Sequence, residues 1–404
     1  MQEMTHSLSI GERVAWYRRR RGMPQEVLAG LAGRTADWLS KVENNRIDLD
    51  RLSVIKVLAD ALDVQLGDLL AEPSLLDWAG NSQAGTVPRL REALMDYKRM
   101  SPLLAVDKPH DLPDLEILRA EVGSAWSAYQ DAKYTRATRL IPDILADAQR
   151  AVRGYEGDAK LQAKALLAMA YQGAAMVLTK IGEADLAWMA ADRGLGAAQE
   201  SGNPDVTGSL FRSVAHCLLS NGRLAAARDL VTDSAGYLEG GLSDASPTYV
   251  SVYGTLFLVG AVAAARLDDR ATVRAFLAEA DSAAQRLGQD ANHMWTAFGP
   301  TNVAIHRIST AMELGDVQVA ADQGPRVDSS TLPLERRVRH TLEVARAYST
   351  DEALALVLDA EELAPEQVRY HFISRHLVTA WVRQQKGKPS HQLAGVAQRL
   401  RIVG

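Results

Sequence analysis

The chain has 404 residues, 47% hydrophobic and 24% charged, with a formal net charge of −5; this is a soluble globular composition with room for two or more cores, and it excludes a collagen-like or disordered chain. A single cysteine, Cys217, excludes an internal disulfide and any multi-cysteine metal site, and fits a reducing cytoplasm. The charge is uneven: residues 1–59 hold ten Lys/Arg against seven Asp/Glu, and a small basic head on an acidic body suits a local anionic partner rather than a protein that coats nucleic acid.

The N-terminus has neither an apolar core nor a small-residue cleavage site, so no signal peptide is expected. Five short helices are predicted up to about residue 70, over residues 13–21, 25–32, 35–44, 52–62 and 64–70. Pro24 stands where the second begins, a position that tolerates its missing N–H. The second and third carry a telling pattern. Ala29 is small where two helices would cross, Gly33 can take a left-handed turn, and Leu39 and Val42 would seat the later helix on the earlier one. These are the requirements of a helix-turn-helix.

On these residues, and on the Ser-Lys-Val-Glu-Asn-Asn-Arg run at 40–46, the chain resembles the lambda-repressor/Cro-like, or XRE, regulators over residues 10–70. The resemblance implies that Gln25 caps a phosphate and that Thr35, Asn44 and Arg46 anchor the backbone of double-stranded DNA. It further implies that Ala36, Asp37 and Lys41 face base edges in the major groove. Arg34, beside them, belongs to the same candidate interface. Lys41 suits guanine, Asp37 a cytosine amine, and Ala36 a thymine methyl. Trp38 shares a side with residues 35, 39 and 42 and is expected to pack at the domain edge or the sugar–phosphate rim. Asn45 stands where the family usually has Gly, and Asn is the next best residue for a left-handed position. The run Arg18 to Arg21 is open to three readings: a phosphate clamp, a solvated helix end, or, for Arg18, the ion pair with Glu43 that the family often forms.

Residues 73–113 read as a linker around one connecting helix at 89–100, bracketed by Pro- and Gly-containing stretches. From 114 to 404 the chain is expected to be nearly all helix. Short polar turns recur near residues 182, 222, 268, 315 and 350, and gaps of this size are typical of a tetratricopeptide-like solenoid. Stacked pairs would form a curved core with a concave face lined by the first helix of each pair. Cys217 is expected to be a buried small hydrophobe. The apolar stretch at 250–265 is too short for a membrane span and reads as a buried helix. The architecture as a whole resembles a large group of actinomycete transcriptional regulators and, more distantly, peptide-responsive regulators of Gram-positive bacteria.

The stretch at 293–307 stands out. Pro300 forces a kink or a helix start, and Asn302 and His306, four apart, share a face. With Trp295 and Phe298 they could clamp a peptide backbone or a small polar-aromatic ligand; alternatively the aromatics are core and His306 is an interhelical hydrogen-bonder. Arg336, Arg337 and His340 could complete a polar strip for an anionic ligand, or form a solvated face. No phosphate loop, zinc-protease or serine-hydrolase motif is present, and the nine scattered His do not point to a metal, so neither an enzyme nor a cofactor is expected. The expectation is an all-α protein: a five-helix helix-turn-helix domain at 1–72, the linker, and a helical-repeat body at 114–404. It would be a cytoplasmic, sequence-specific regulator with no membrane partner. Its body would dimerise over a roughly palindromic operator and bind a small molecule, a peptide or a small protein. The alternative is a scaffold tethered to DNA by its head, recruiting a protein partner.

Overall fold

The computed structural model describes residues 9–47, 49, 51–62, 64, 69, 86–96, 112–385 and 389–402. These residues are all-α; among them the only extended pairing is a single bridge between Ala291 and Phe298. Most of the expected fifth head helix, over 64–70, and most of the linker lie outside the described residues.

The head comprises α1 (Ile10–Arg20), α2 (Gln25–Leu31), α3 (Ala36–Glu43) and α4 (Leu52–Ala61). Helix α1 starts three residues earlier than expected because Ser9 and Glu12 close a reciprocal cap. The Ser9 Oγ accepts from the Glu12 N–H at 2.9 Å, and Glu12 Oε2 accepts from the Ser9 N–H at 2.6 Å. Val14, Leu28, Leu39, Val42, Ile55, Leu58 and Leu62 are fully buried and form the head core.

Helix α5 (Thr86–Met95) packs on the body through buried Val87, Leu90 and Leu94. The body then runs as pairs joined by tight turns, which return each second helix alongside the first. They are α6 (Leu115–Gln130) and α7 (Tyr134–Gly154), α8 (Gly157–Lys180) and α9 (Ala184–Ser201), α10 (Pro204–Ser220) and α11 (Leu224–Glu239), and α12 (Pro247–Arg266) and α13 (Arg270–Leu287). After an irregular segment come α14 (Pro300–Leu314) and α15 (Val317–Gln323), then α16 (Leu334–Ala345) and α17 (Thr350–Leu363), followed by α18 (Pro365–Tyr370), α19 (Phe372–Gln384) and α20 (His391–Arg399). Gly182, Gly222, Asp268 and Gly315 take left-handed conformations in four of the expected turns. Helix α12 is apolar enough to cross a membrane by composition, but Val250 to Ala265 are buried throughout, so it is the spine of the body's core. Cys217 is fully buried, and burial lifts its thiol to about 11.

The first helices α6, α8, α10, α12, α14 and α16 contact one another in succession, and α16 also touches α6. The body therefore winds far enough for its inner layer to meet itself. Lys180 of α8 pairs with Glu335 of α16, and the Thr135 N–H donates to Glu366 Oε2 at 2.8 Å, holding the late helices against the early ones. The head sits on this ring. Glu12 lies 3.4 Å from Arg383, Phe372 packs on the head core, and Arg51 lies so close to the left-handed turn at Gly315 that a Cβ there would be 1.5 Å from its Nη2.

Candidate nucleic-acid interface and interior cavity

In the α2–α3 unit each slot of the sequence pattern is filled. Ala29 is buried where the helices cross, Gly33 has φ +64°, and Leu39 and Val42 have no solvent exposure. Thr35 caps α3, its Oγ1 accepting from the Trp38 N–H at 3.2 Å. Arg34, Thr35, Asp37, Lys41, Asn44 and Arg46 are exposed and Ala36 is half-buried, so one side of α3 and its flanks is open. Asp37 and Lys41 pair with each other at 2.7 Å across one helical turn, and the Asn44 Nδ2 donates to the Ser40 carbonyl at 2.7 Å.

Behind this face, Arg18 binds Glu43 through two bonds, Nε to Oε1 at 2.5 Å and Nη2 to Oε2 at 2.7 Å. Of the three readings for Arg18, the ion pair holds. Gln25 starts α2 beside this pair and is half-buried. Its Nε2 donates to Glu43 Oε2 at 2.7 Å, so the amide braces a buried carboxylate that needs donors. Trp38 is half-buried against the head core, with the Arg34 guanidinium 5.5 Å from its ring. Asn45 is left-handed at φ +55° and its Oδ1 accepts from Ser9 Oγ at 2.5 Å. Gly11 had carried no signal. A Cβ there would sit 2.1 Å from the Val42 carbonyl oxygen, so α1 can approach α3 only through a glycine. The Ser9 cap, by contrast, was readable in the spacing Ser-x-x-Glu.

Residues 9–72 match the family model of a helix-turn-helix domain. The match covers the head alone and supports a DNA-binding regulator. No curated protein matches the chain.

Below the helix-turn-helix head, the inner helices line a cavity of about 860 Å³ that reaches from the middle of the ring to the underside of α1 and the end of α3. Ten Lys/Arg side chains line it against four Glu and no Asp. Three of the carboxylates are engaged within the ring. Glu335 pairs with Lys180; Glu343 lies 2.8 Å from Arg346; Glu313 lies 3.5 Å from Arg266 and 3.9 Å from Arg346. Although burial opposes its charge, Lys180 and Arg336 hold the Glu335 carboxyl well below its usual range. Arg212, only 3% exposed, has no acceptor for Nε or Nη2. Burial lowers its guanidinium to about 10, which leaves it charged at neutral pH. Burial, and then Arg336 and Arg339, push His306 well below the ordinary imidazole value, so it is neutral. Its Nδ1–H donates to the Asn302 carbonyl at 2.8 Å, which leaves Nε2 as an acceptor.

Trp295, His306 and Arg336 of the expected effector residues line this cavity; the other four do not. Phe298 is fully buried and fills the space left by Gly254 on α12. Asn302 is fully buried and its Nδ2 donates to the Ala297 carbonyl at 2.9 Å. The Nε2–H of His340 donates to the Gly324 carbonyl at 3.0 Å. Arg337 is half-buried away from the cavity. Pro300 starts α14 rather than kinking it, and the polar groups around it are used to hold the segment before it. That segment carries Met294, Trp295 and Ala297 at φ +49°, +52° and +49°. Left-handed backbone at three such residues is unfavourable. It is held by the reciprocal amide pair of Gln130 and Asn292, at 3.0 and 2.8 Å, and it stacks Trp295 on Trp126 with ring centroids 5.1 Å apart. Sequence spacing on a single helix could not find Arg212, Arg339 or Trp126, because the cavity is assembled from residues far apart in the chain.

Proposed function

We propose that this protein is a sequence-specific transcriptional regulator of the XRE type whose tetratricopeptide-like body senses a small ligand and mediates dimerisation in the cytoplasm. The observation that carries this reading is a single cavity lined both by the inner helices of the body and by Gly11, Asn44 and Asn45 of the helix-turn-helix head. A ligand there would touch the backbone that positions α3, and a coupling of about 1–3 kcal/mol is enough to switch occupancy of an operator. In this reading Arg34, Thr35, Asn44 and Arg46 hold phosphates while Ala36, Asp37 and Lys41 read bases. Two heads on one dimer would read a roughly palindromic operator. The cavity's size is that of a small-molecule site, which favours a sensor over a scaffold that recruits a whole protein.

The test is selection of bound sequences from a random duplex pool with the full-length protein at near-physiological salt. A palindrome supports a dimeric regulator. A single asymmetric site would remove the dimer from the reading, and no enrichment, with or without the ligand class proposed below, would overturn sequence specificity.

A further inference from the structure

We propose that the body cavity binds a small organic oxyanion with a flat apolar part, an aromatic carboxylate or phosphate ester, held by Arg212 and Arg336 and stacked beside the Trp126–Trp295 pair. This rests on the ligand-sensing half of the reading above.

The interior carries more positive charge than its own carboxylates neutralise. Glu335 is held by Lys180 and Glu343 by Arg346, and Glu313 stands 3.5 Å from Arg266 with its Oε2 unbonded. That leaves Arg212 on α10, buried, charged, and with two guanidinium nitrogens lacking any acceptor. On α16, the Arg336 Nε is also without one, since Glu335 Oε2 stands 4.0 Å away. The two cations are near enough for the charge of Arg336 to depress Arg212. A buried guanidinium without a counter-ion, as Arg212 is, is strongly disfavoured, and its planar set of N–H donors is matched to carboxylate or phosphate oxygens, with the unbonded Arg336 Nε lining the same cavity. Trp126 and Trp295 line the same cavity and stack parallel within 10°, and the half-buried Trp295, backed by the buried Trp126, gives it a flat apolar surface. The neutral His306 offers Nε2 as an acceptor for a hydroxyl or N–H on the ligand.

The experiment is calorimetric titration of the full-length protein, without DNA, with benzoate, phenyl phosphate and inorganic phosphate, and with phenol as the neutral probe; tryptophan fluorescence is followed in parallel. Benzoate or phenyl phosphate is expected to bind and change the fluorescence, with phenol at least tenfold weaker; the better of the two tells carboxylate from phosphate. Arg212→Met is expected to weaken the anion at least tenfold yet raise the unfolding midpoint of the ligand-free protein by about 2 °C, since it removes an unpaired buried charge. Arg212→Lys, which keeps the charge without the fork, is expected to fall between. Equal binding of phenol, silence of all three anions at millimolar concentration, unchanged affinity in Arg212→Met, or a lower midpoint or misfolding of that variant would each overturn the proposal. Because no DNA is present, these outcomes are separate from those of operator selection.

Discussion

At the scale of single residues, the head divides its charged side chains into those that hold the fold and those exposed on the open side of α3. Glu43 belongs to the first group. Its carboxylate is nearly sealed and takes donors from Arg18 and Gln25. Glu43→Gln would leave the Arg18 guanidinium without its counter-ion, and a loss of about 3 kcal/mol is expected from the head's unfolding free energy, measurable by denaturant titration. Asp37 and Lys41 belong to the second group, exposed and paired only with each other. Exposed pairs contribute little to folding, so Lys41→Ala and Asp37→Ala should leave the unfolding midpoint nearly unchanged. Each should relax base preference at one operator position by about 1–3 kcal/mol. Loss of affinity spread evenly over all sequences would instead move that residue to the phosphate-contacting group.

At the scale of elements, the irregular segment between α13 and α14 brings Trp295 and Ala297 to the cavity wall. It is anchored by Phe298 in a hollow made by a missing side chain. A Cβ on Gly254 would lie 2.1 Å from the Phe298 ring. Gly254→Ala therefore sets a gain in helix propensity against overpacking of a fully buried ring. Overpacking should win, lowering stability by about 2 kcal/mol and shifting Trp295 from Trp126, which tryptophan fluorescence would register.

At the scale of the whole molecule, the ring encloses neutral imidazole among cations, and this ties stability to pH. His306 is 4% exposed and its folded pKa is depressed well below 6.5, first by burial and then by Arg336 and Arg339. The unfolded chain therefore takes up a proton below pH 6.5 that the folded chain refuses. The contribution is fully present above that pH and is lost as pH falls, by about 1.4 kcal/mol per unit for this residue. Thermal unfolding in buffers from pH 7.5 to 5 should show the midpoint falling with acidity. His306→Asn should flatten the slope, and a profile identical to that of the unaltered protein would show that His306 is not its source.

Much of this organisation was written locally. Gly33, Ala29, Leu39 and Val42 specify the head because a helix-turn-helix is built from contacts within some twenty residues, and the paired helices follow from periodicity and from turn residues such as Gly182 and Gly222, which act on their immediate neighbours. What the cavity contains was decided by tertiary structure alone. Asn302 and His306 share a helix face in sequence, yet the fold turns the Asn302 amide to the backbone of the preceding segment. It leaves the cavity to His306, with Arg212 and Trp126 brought from other helices. Helical spacing determines which side chains lie together on one helix, but not which face of that helix the ring turns inward. That choice depends on how far the pairs wind before α16 meets α6, a sum of small rotations between neighbours that no local stretch encodes.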